Sequence, residues 1–125
     1  MRYFSYTDSP YAIRSDITEA HRKFWENLSA PGNWWTGKQR VAIAQEVRNA
    51  FSCEFCASRK LALSPYKFPG EHQHSEGLDD VAIDAVHRVI TDQTRITKSW
   101  VNSNVENGLS KGAYVELAGL AVATL

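Results

Sequence analysis

From Thr36 to Lys60 the sequence carries two helix signals back to back, and the only two cysteines of the chain fall at their junction. Thr36-Gly37-Lys38-Gln39 is a capping box, in which the Thr and Gln side chains satisfy backbone groups left free at a helix start. The apolar run Val41-Ala42-Ile43-Ala44 then predicts a helix that reaches Phe51 and is buried on most sides. Glu46 follows Ile43 by three residues and precedes Ala50 by four, so it shares their stripe and its apolar surroundings. The stripe leads on to Ser52-Cys53-Glu54-Phe55-Cys56. With Ser52 as N-cap, Cys53 falls on the first turn of the next helix, where free N–H groups and the helix dipole favour a thiolate. Cys56, three residues on, lies beside it on the same face. An acidic thiol with a second one in reach is the arrangement that thiol–disulfide chemistry uses.

The rest of the chain reads as helices too. Asp16-Ile17-Thr18-Glu19 has the form of a capping box, Ile17, Ala20, His21, Phe24, Trp25 and Leu28 recur at helical spacing, and Pro31-Gly32 ends that segment. The helix that starts at about Cys53 runs to Leu63 and is closed by Ser64-Pro65. Residues 66–77, with Pro69-Gly70-Glu71-His72-Gln73-His74, form a loop long enough to be a lid over a site or a mobile connection. Asp79 caps a fourth helix defined by Val81, Ala82, Ala85, Val86, Val89 and Ile90, which carries His87 and Arg88. A turn over 91–97, a fifth helix stopped by Gly108, and a sixth capped by Ser110 with Tyr114, Leu117, Leu120 and Ala121 complete the reading. No segment alternates as a strand, so the expectation is all-α: one domain over 1–125, a bundle of about six helices, with residues 1–14 as an aromatic arm. The apolar pattern breaks off at Leu125 without a stop signal, as a truncated end would.

Hydrophobic residues make up 43% and charged residues 22% of the 125, with 14 basic against 14 acidic, which argues against nucleic acid as a partner. The start lacks the apolar run of a signal peptide, and no stretch approaches the about 18 apolar residues of a membrane span. A cytoplasmic location without membrane association is the expectation. In that compartment a CxxC pair is catalytic, redox-sensing or metal-binding rather than a structural staple. The metal alternative is a zinc site in which His72 and His74 join the two cysteines, although an H-x-H spacing is shorter than zinc sites usually use. Arg59 and Lys60 fit a solvated helix face, with stabilisation of a nearby thiolate as the alternative, and Glu46 suits an ion pair with Arg40, Arg48 or an Arg of another helix. His87 reads as a core histidine, Glu116 as a partner for Arg88, and Trp25, Trp34, Trp35 and Trp100 as core or interface anchors.

The segment Arg40-Val41-Ala42-Ile43-Ala44-Gln45-Glu46-Val47-Arg48-Asn49-Ala50-Phe51-Ser52-Cys53-Glu54-Phe55-Cys56 resembles the alkylhydroperoxidase D-like branch of the carboxymuconolactone decarboxylase superfamily. Weaker likenesses cover His87 to Asp92 with Arg95-Ile96-Thr97 and Trp100, and Ala113 to Leu117. The resemblance implies an all-α fold assembled into trimers or larger rings. It also implies a thiol peroxidase or disulfide oxidoreductase that needs no cofactor and is recharged by an external thiol reductant. Cys56 takes the position of the family's peroxide-reacting sulfur and Cys53 that of the resolving one. Where the family's pattern has a Glu and two His, this chain has Val41, Phe55 and Lys60. Glu46, His87 and Glu116 are the candidates to assist Cys53 and Cys56 in their place. The other reading is a zinc-binding or helical interaction protein that keeps the fold without the relay.

Overall fold

The computed structural model describes residues 6–125, and every regular element among them is helical. The α-helices are α1 (Ser15–Leu28), α2 (Gly37–Ser52), α3 (Glu54–Lys60), α4 (Asp80–Thr91), α5 (Lys98–Glu106) and α6 (Lys111–Thr124), with a 3-10 turn at Gln93–Arg95. The expected arm lies partly outside the described residues, which exclude Tyr3 and Phe4; Tyr6 meets His21 of α1 at 2.6 Å. No helix among the described residues is long and apolar enough to cross a membrane.

Helices α2, α4 and α6 form the centre. Ile43 and Val47 of α2, Ala82, Ala85 and Val86 of α4, and Leu117 and Ala121 of α6 are all buried, and each of these helices packs on the other two. Small residues on α4 let it approach α2 closely, which sets the two helices that will carry the site side by side. Three of the expected caps form. Thr36 and Gln39 close the capping box of α2, Asp79 accepts the Ala82 N–H, and Ser110 accepts the Ala113 N–H. The fifth helix stops where Gly108 takes a φ of +102°, a conformation that costs glycine little.

Four expectations are corrected. Asp16 is not a cap: Arg14 is the N-cap of α1, and the Asp16 carboxylate pairs with the Arg14 guanidinium at 2.7 Å instead. The apolar stripe of α1 is only half used: Leu28 is buried, Phe24 and Trp25 pack partly buried against the core, and Ile17 is exposed. The run Val41 to Ala44 buries Ile43 and Ala44 while Val41 faces outward, so α2 has one free side. Helix α3 ends at Lys60, and Leu61 and Leu63 are exposed.

Glu116 stands far from the cysteines in function. Its carboxylate accepts the backbone N–H groups of Asn33, Trp34 and Trp35, so it holds the α1–α2 connection against α6. It pairs neither with Arg88 nor with a thiol. Trp35 adds a bond from its indole N–H to the Ala113 carbonyl at 2.8 Å, and a Cβ on Gly112 would strike the Trp34 ring. Glu116→Ala is therefore expected to lower stability by about 1–3 kcal/mol, because three donors lose one shared acceptor in a half-buried site. Urea unfolding checks this, and thiol reactivity should stay unchanged.

Candidate functional site

The site forms where the end of α2, the start of α3, the middle of α4 and the 66–77 loop meet. Cys53 is itself the N-cap of α3, with extended backbone (φ −72°, ψ 113°), rather than a residue of its first turn. Ser52 still belongs to α2, and its hydroxyl donates back to the Asn49 carbonyl. The capping expected of Ser52 is supplied from the loop: the Gln73 side-chain oxygen accepts the Glu54 N–H at 2.9 Å. The Gln73 backbone N–H in turn points at Cys53 Sγ at 3.4 Å. Both thiols are free and buried, at 3% and 2% exposure.

The loop is anchored rather than free to swing. Gly70 takes a φ of +148° directly against the Phe55 ring, where a Cβ would collide with ring carbons, so only glycine lets the chain pass there. Phe68 stacks on the other side of this contact, with ring centroids 5.7 Å from Phe55. Ser75 donates its N–H to Glu46 Oε2 at 3.2 Å, and the Tyr66 hydroxyl bonds the Arg95 carbonyl. This course brings His72 over the sulfurs: its Nδ1 lies 3.6 Å from Cys53 Sγ and 3.4 Å from Cys56 Sγ.

A second histidine arrives from α4. His87 is fully buried, its Nδ1 lies 3.2 Å from Cys56 Sγ, and its Nε2 lies 2.8 Å from Glu46 Oε1. Glu46 is 1% exposed and also accepts from Asn49 and Ser75, so its partners are these groups and not Arg40 or Arg48. His72 repeats the pattern, with Nε2 at 2.9 Å from Asp84 Oδ1. A carboxylate can only accept, so the Nε2 of each ring carries a proton and the Nδ1 of each is the atom that faces the sulfurs. Asp84 is held further by Arg59 at 2.6 Å and by the Trp100 indole N–H at 3.3 Å. Arg59 is thus a buried ion-pair partner, not part of the solvated face that Lys60 does occupy.

The two thiols differ electrostatically. Burial pushes the Cys53 thiol up, but the backbone N–H groups of Cys56 and Gln73 and the His72 ring outweigh it, and the net direction is down. Burial pushes Cys56 up to about 12, with a contribution from negative charge on Cys53. His87 is held below the ordinary histidine range by burial, against the pull of Glu46, so its ring is neutral. Burial would raise the Asp84 carboxyl, yet His72 and Arg59 hold it well below the usual carboxylate range.

Of the residues expected from the sequence, Cys53, Cys56, Glu46 and His87 are brought together, and Glu116 is not. His74 is exposed with its ring on the Ser75 carbonyl, outside the group. Asp84 was missed, while His72, paired with the cysteines only in the zinc reading, does stand at both sulfurs. A cavity of about 340 Å³ opens beside the site, lined by Phe55, Gly70, His72, Asp84 and others, and His72 is the side chain that both lines it and touches the sulfurs. No family model matches the chain, and no curated protein or solved structure matches it.

Proposed function

We propose that this chain is a thiol-dependent peroxidase or disulfide oxidoreductase that cycles between the Cys53/Cys56 dithiol and a disulfide. The observation that carries the reading is the buried line Cys56–His87–Glu46, with contacts of 3.2 and 2.8 Å, ending beside a second thiol whose pKa is lowered. A neutral imidazole with its lone pair on a thiol is a general base in place, and the carboxylate behind it steadies the imidazolium that forms. His87 serves as base and then as acid with Glu46 behind it, at positions other than those of the family that the sequence resembles.

Cys53, as the thiolate, attacks the terminal oxygen of a hydroperoxide. The O–O bond breaks, the alkoxide takes a proton from water and leaves as the alcohol, and Cys53 becomes a sulfenic acid. Cys56 then attacks the Cys53 sulfur while His87 takes its proton. The S–S bond forms, and hydroxide leaves as water with the proton from His87. With a disulfide substrate, the same attack releases a thiol and leaves a mixed disulfide that Cys56 resolves. An external dithiol returns the pair to the reduced state. This order makes Cys53 the attacking sulfur, the reverse of what the resemblance implies. A homo-oligomer belongs to the same reading, and exposed Phe51, Leu61 and Leu63 offer it apolar surface to cover.

The test is intact mass of metal-free, reduced protein before and after a slight excess of hydroperoxide. Wild type should lose two hydrogens, and Cys56→Ser should stop at a sulfenic acid on Cys53. A stalled Cys53→Ser instead would restore the order of the resemblance. An unchanged mass in all three proteins would remove the peroxidase reading.

A further inference from the structure

Two thiols and the Nδ1 atoms of two imidazoles converge on one buried point. The ligand atoms of Cys53, Cys56, His72 and His87 all lie within 4.8 Å of one another. We infer that these four side chains form a closed tetrahedral site for a zinc ion.

Three independent features support the site. The first is distance. A tetrahedral zinc with Zn–S of about 2.3 Å and Zn–N of about 2.0–2.1 Å requires S···N separations of about 3.6 Å. The contacts of His72 and His87 with the sulfurs are 3.6, 3.4 and 3.2 Å and the widest separation in the group is within 4.8 Å, so the ion would be admitted by opening the His87 contact slightly and drawing the long side in. The second is orientation. Zinc-bound histidines characteristically give their other ring N–H to a carboxylate, which fixes the tautomer and raises the basicity of the ligand nitrogen. Both rings do so here, His87 to Glu46 at 2.8 Å and His72 to Asp84 at 2.9 Å. The third is donor chemistry: two thiolates with two imidazoles in a small buried space suit zinc over harder cations such as magnesium or calcium.

With four protein ligands there is no open position, so the ion would be structural. It would fasten the 66–77 loop, through His72, to the junction of α2 and α3 and to α4. The site does not depend on the dithiol cycle proposed above, although the two exclude each other in any one molecule because both use both sulfurs. His87 from α4 takes the place that His74 has in the zinc reading of the sequence.

The test is a titration of chelator-treated, reduced protein with Zn²⁺ and, separately, with Co²⁺. Retained metal is counted after desalting, and the cobalt form is examined for thiolate-to-metal charge-transfer and tetrahedral d–d absorption. One equivalent with both spectral features is expected, unchanged in His74→Ala, and lost or at least tenfold weaker in Cys53→Ser and His72→Ala. Far-UV circular dichroism of the metal-free variants confirms that they fold. The inference fails if folded, reduced wild type retains no zinc. It fails equally if His72→Ala binds zinc as tightly as wild type with the same cobalt spectrum. Peroxide reactivity is measured on the metal-free protein alone, so a negative result there leaves the metal result standing and the reverse holds as well.

Discussion

Glu46→Ala should lower the free energy of unfolding by about 3–5 kcal/mol, since it combines a cavity with a lost buried acceptor. The side chain is 1% exposed, and its two oxygens receive His87 Nε2, the Asn49 amide and the Ser75 backbone N–H. Those three donors do not lose equally. Asn49 keeps the Ser75 hydroxyl at 2.9 Å, and Ser75 lies in a partly exposed loop where water can replace the carboxylate. His87 has no such recourse, because it is 0% exposed and the Thr91 hydroxyl bonds its backbone carbonyl, not its ring. An orphaned ring N–H costs about 1–3 kcal/mol, and the empty volume left by the side chain supplies the remainder. Glu46→Gln separates the two contributions. It fills the space, and its oxygen can face His87, but its NH₂ then meets the Ser75 N–H donor to donor; a loss of about 1–3 kcal/mol is expected. Urea unfolding of the metal-free, reduced proteins measures both. A Glu46→Ala variant within about 1 kcal/mol of wild type would mean that His87 finds another acceptor and that the carboxylate does not fix its tautomer.

Glu46 also shows what the sequence could tell. Its burial followed from spacing, because a residue three from Ile43 and four from Ala50 has to share their face. Its partner did not follow, because helical periodicity orders residues within α2 and contains nothing about which side chain of α4 comes opposite. The same division holds throughout. Three local signals, the capping box at Thr36 and the caps at Asp79 and Ser110, came out where the pattern put them, while the capping-box pattern at Asp16 did not. Elements whose ends are set by tertiary contacts did not. Cys53 is an N-cap because Gln73, twenty residues on, supplies the acceptor that Ser52 was expected to give.

His72 was paired with the cysteines only in the zinc reading, and its place over both sulfurs could not be derived from the pattern for a related reason. A loop of Pro, Gly and His has no period, and the feature that steers it is the close passage of Gly70 over Phe55. Asp84 was more legible than it was read. It lies three residues before His87 and four before Arg88, so the three form one polar edge on a helix that between Asp80 and Thr91 is otherwise Ala, Val and Ile. A polar trio on a buried helix face is a sign of mutual pairing or of a site. Arg59 is the matching case on α3: from the sequence it was assigned to a solvated face, and the fold supplied Asp84 as its partner.

Asp84→Ala is expected to cost about 3–5 kcal/mol as well, by a different route. The Asp84 carboxylate faces two guanidinium groups, Arg59 at 2.6 Å and Arg88 at 3.6 Å, and these arginines are 2% and 4% exposed. Removing the carboxylate leaves both cations in the interior without a counter-ion, a worse state than either a complete pair or an apolar replacement. Other groups compensate little. Arg88 keeps its places over the Tyr66 and Trp100 rings, 4.3 and 5.4 Å from the centroids, while Arg59 retains only the Phe55 ring at 5.2 Å. The Asp84 side chain is itself 29% accessible, so water entering from the adjacent cavity should hold the loss toward the lower end of the range. Asp84→Asn keeps an acceptor for His72 Nε2 and for Trp100 but not the charge, and should fall between wild type and Asp84→Ala. Arg59→Met in the Asp84→Ala background decides the cause: it should recover part of the loss, because the buried cation disappears with its partner. If the double variant is no more stable than Asp84→Ala alone, the cost lies in His72 and Trp100 losing their acceptor and not in stranded charge.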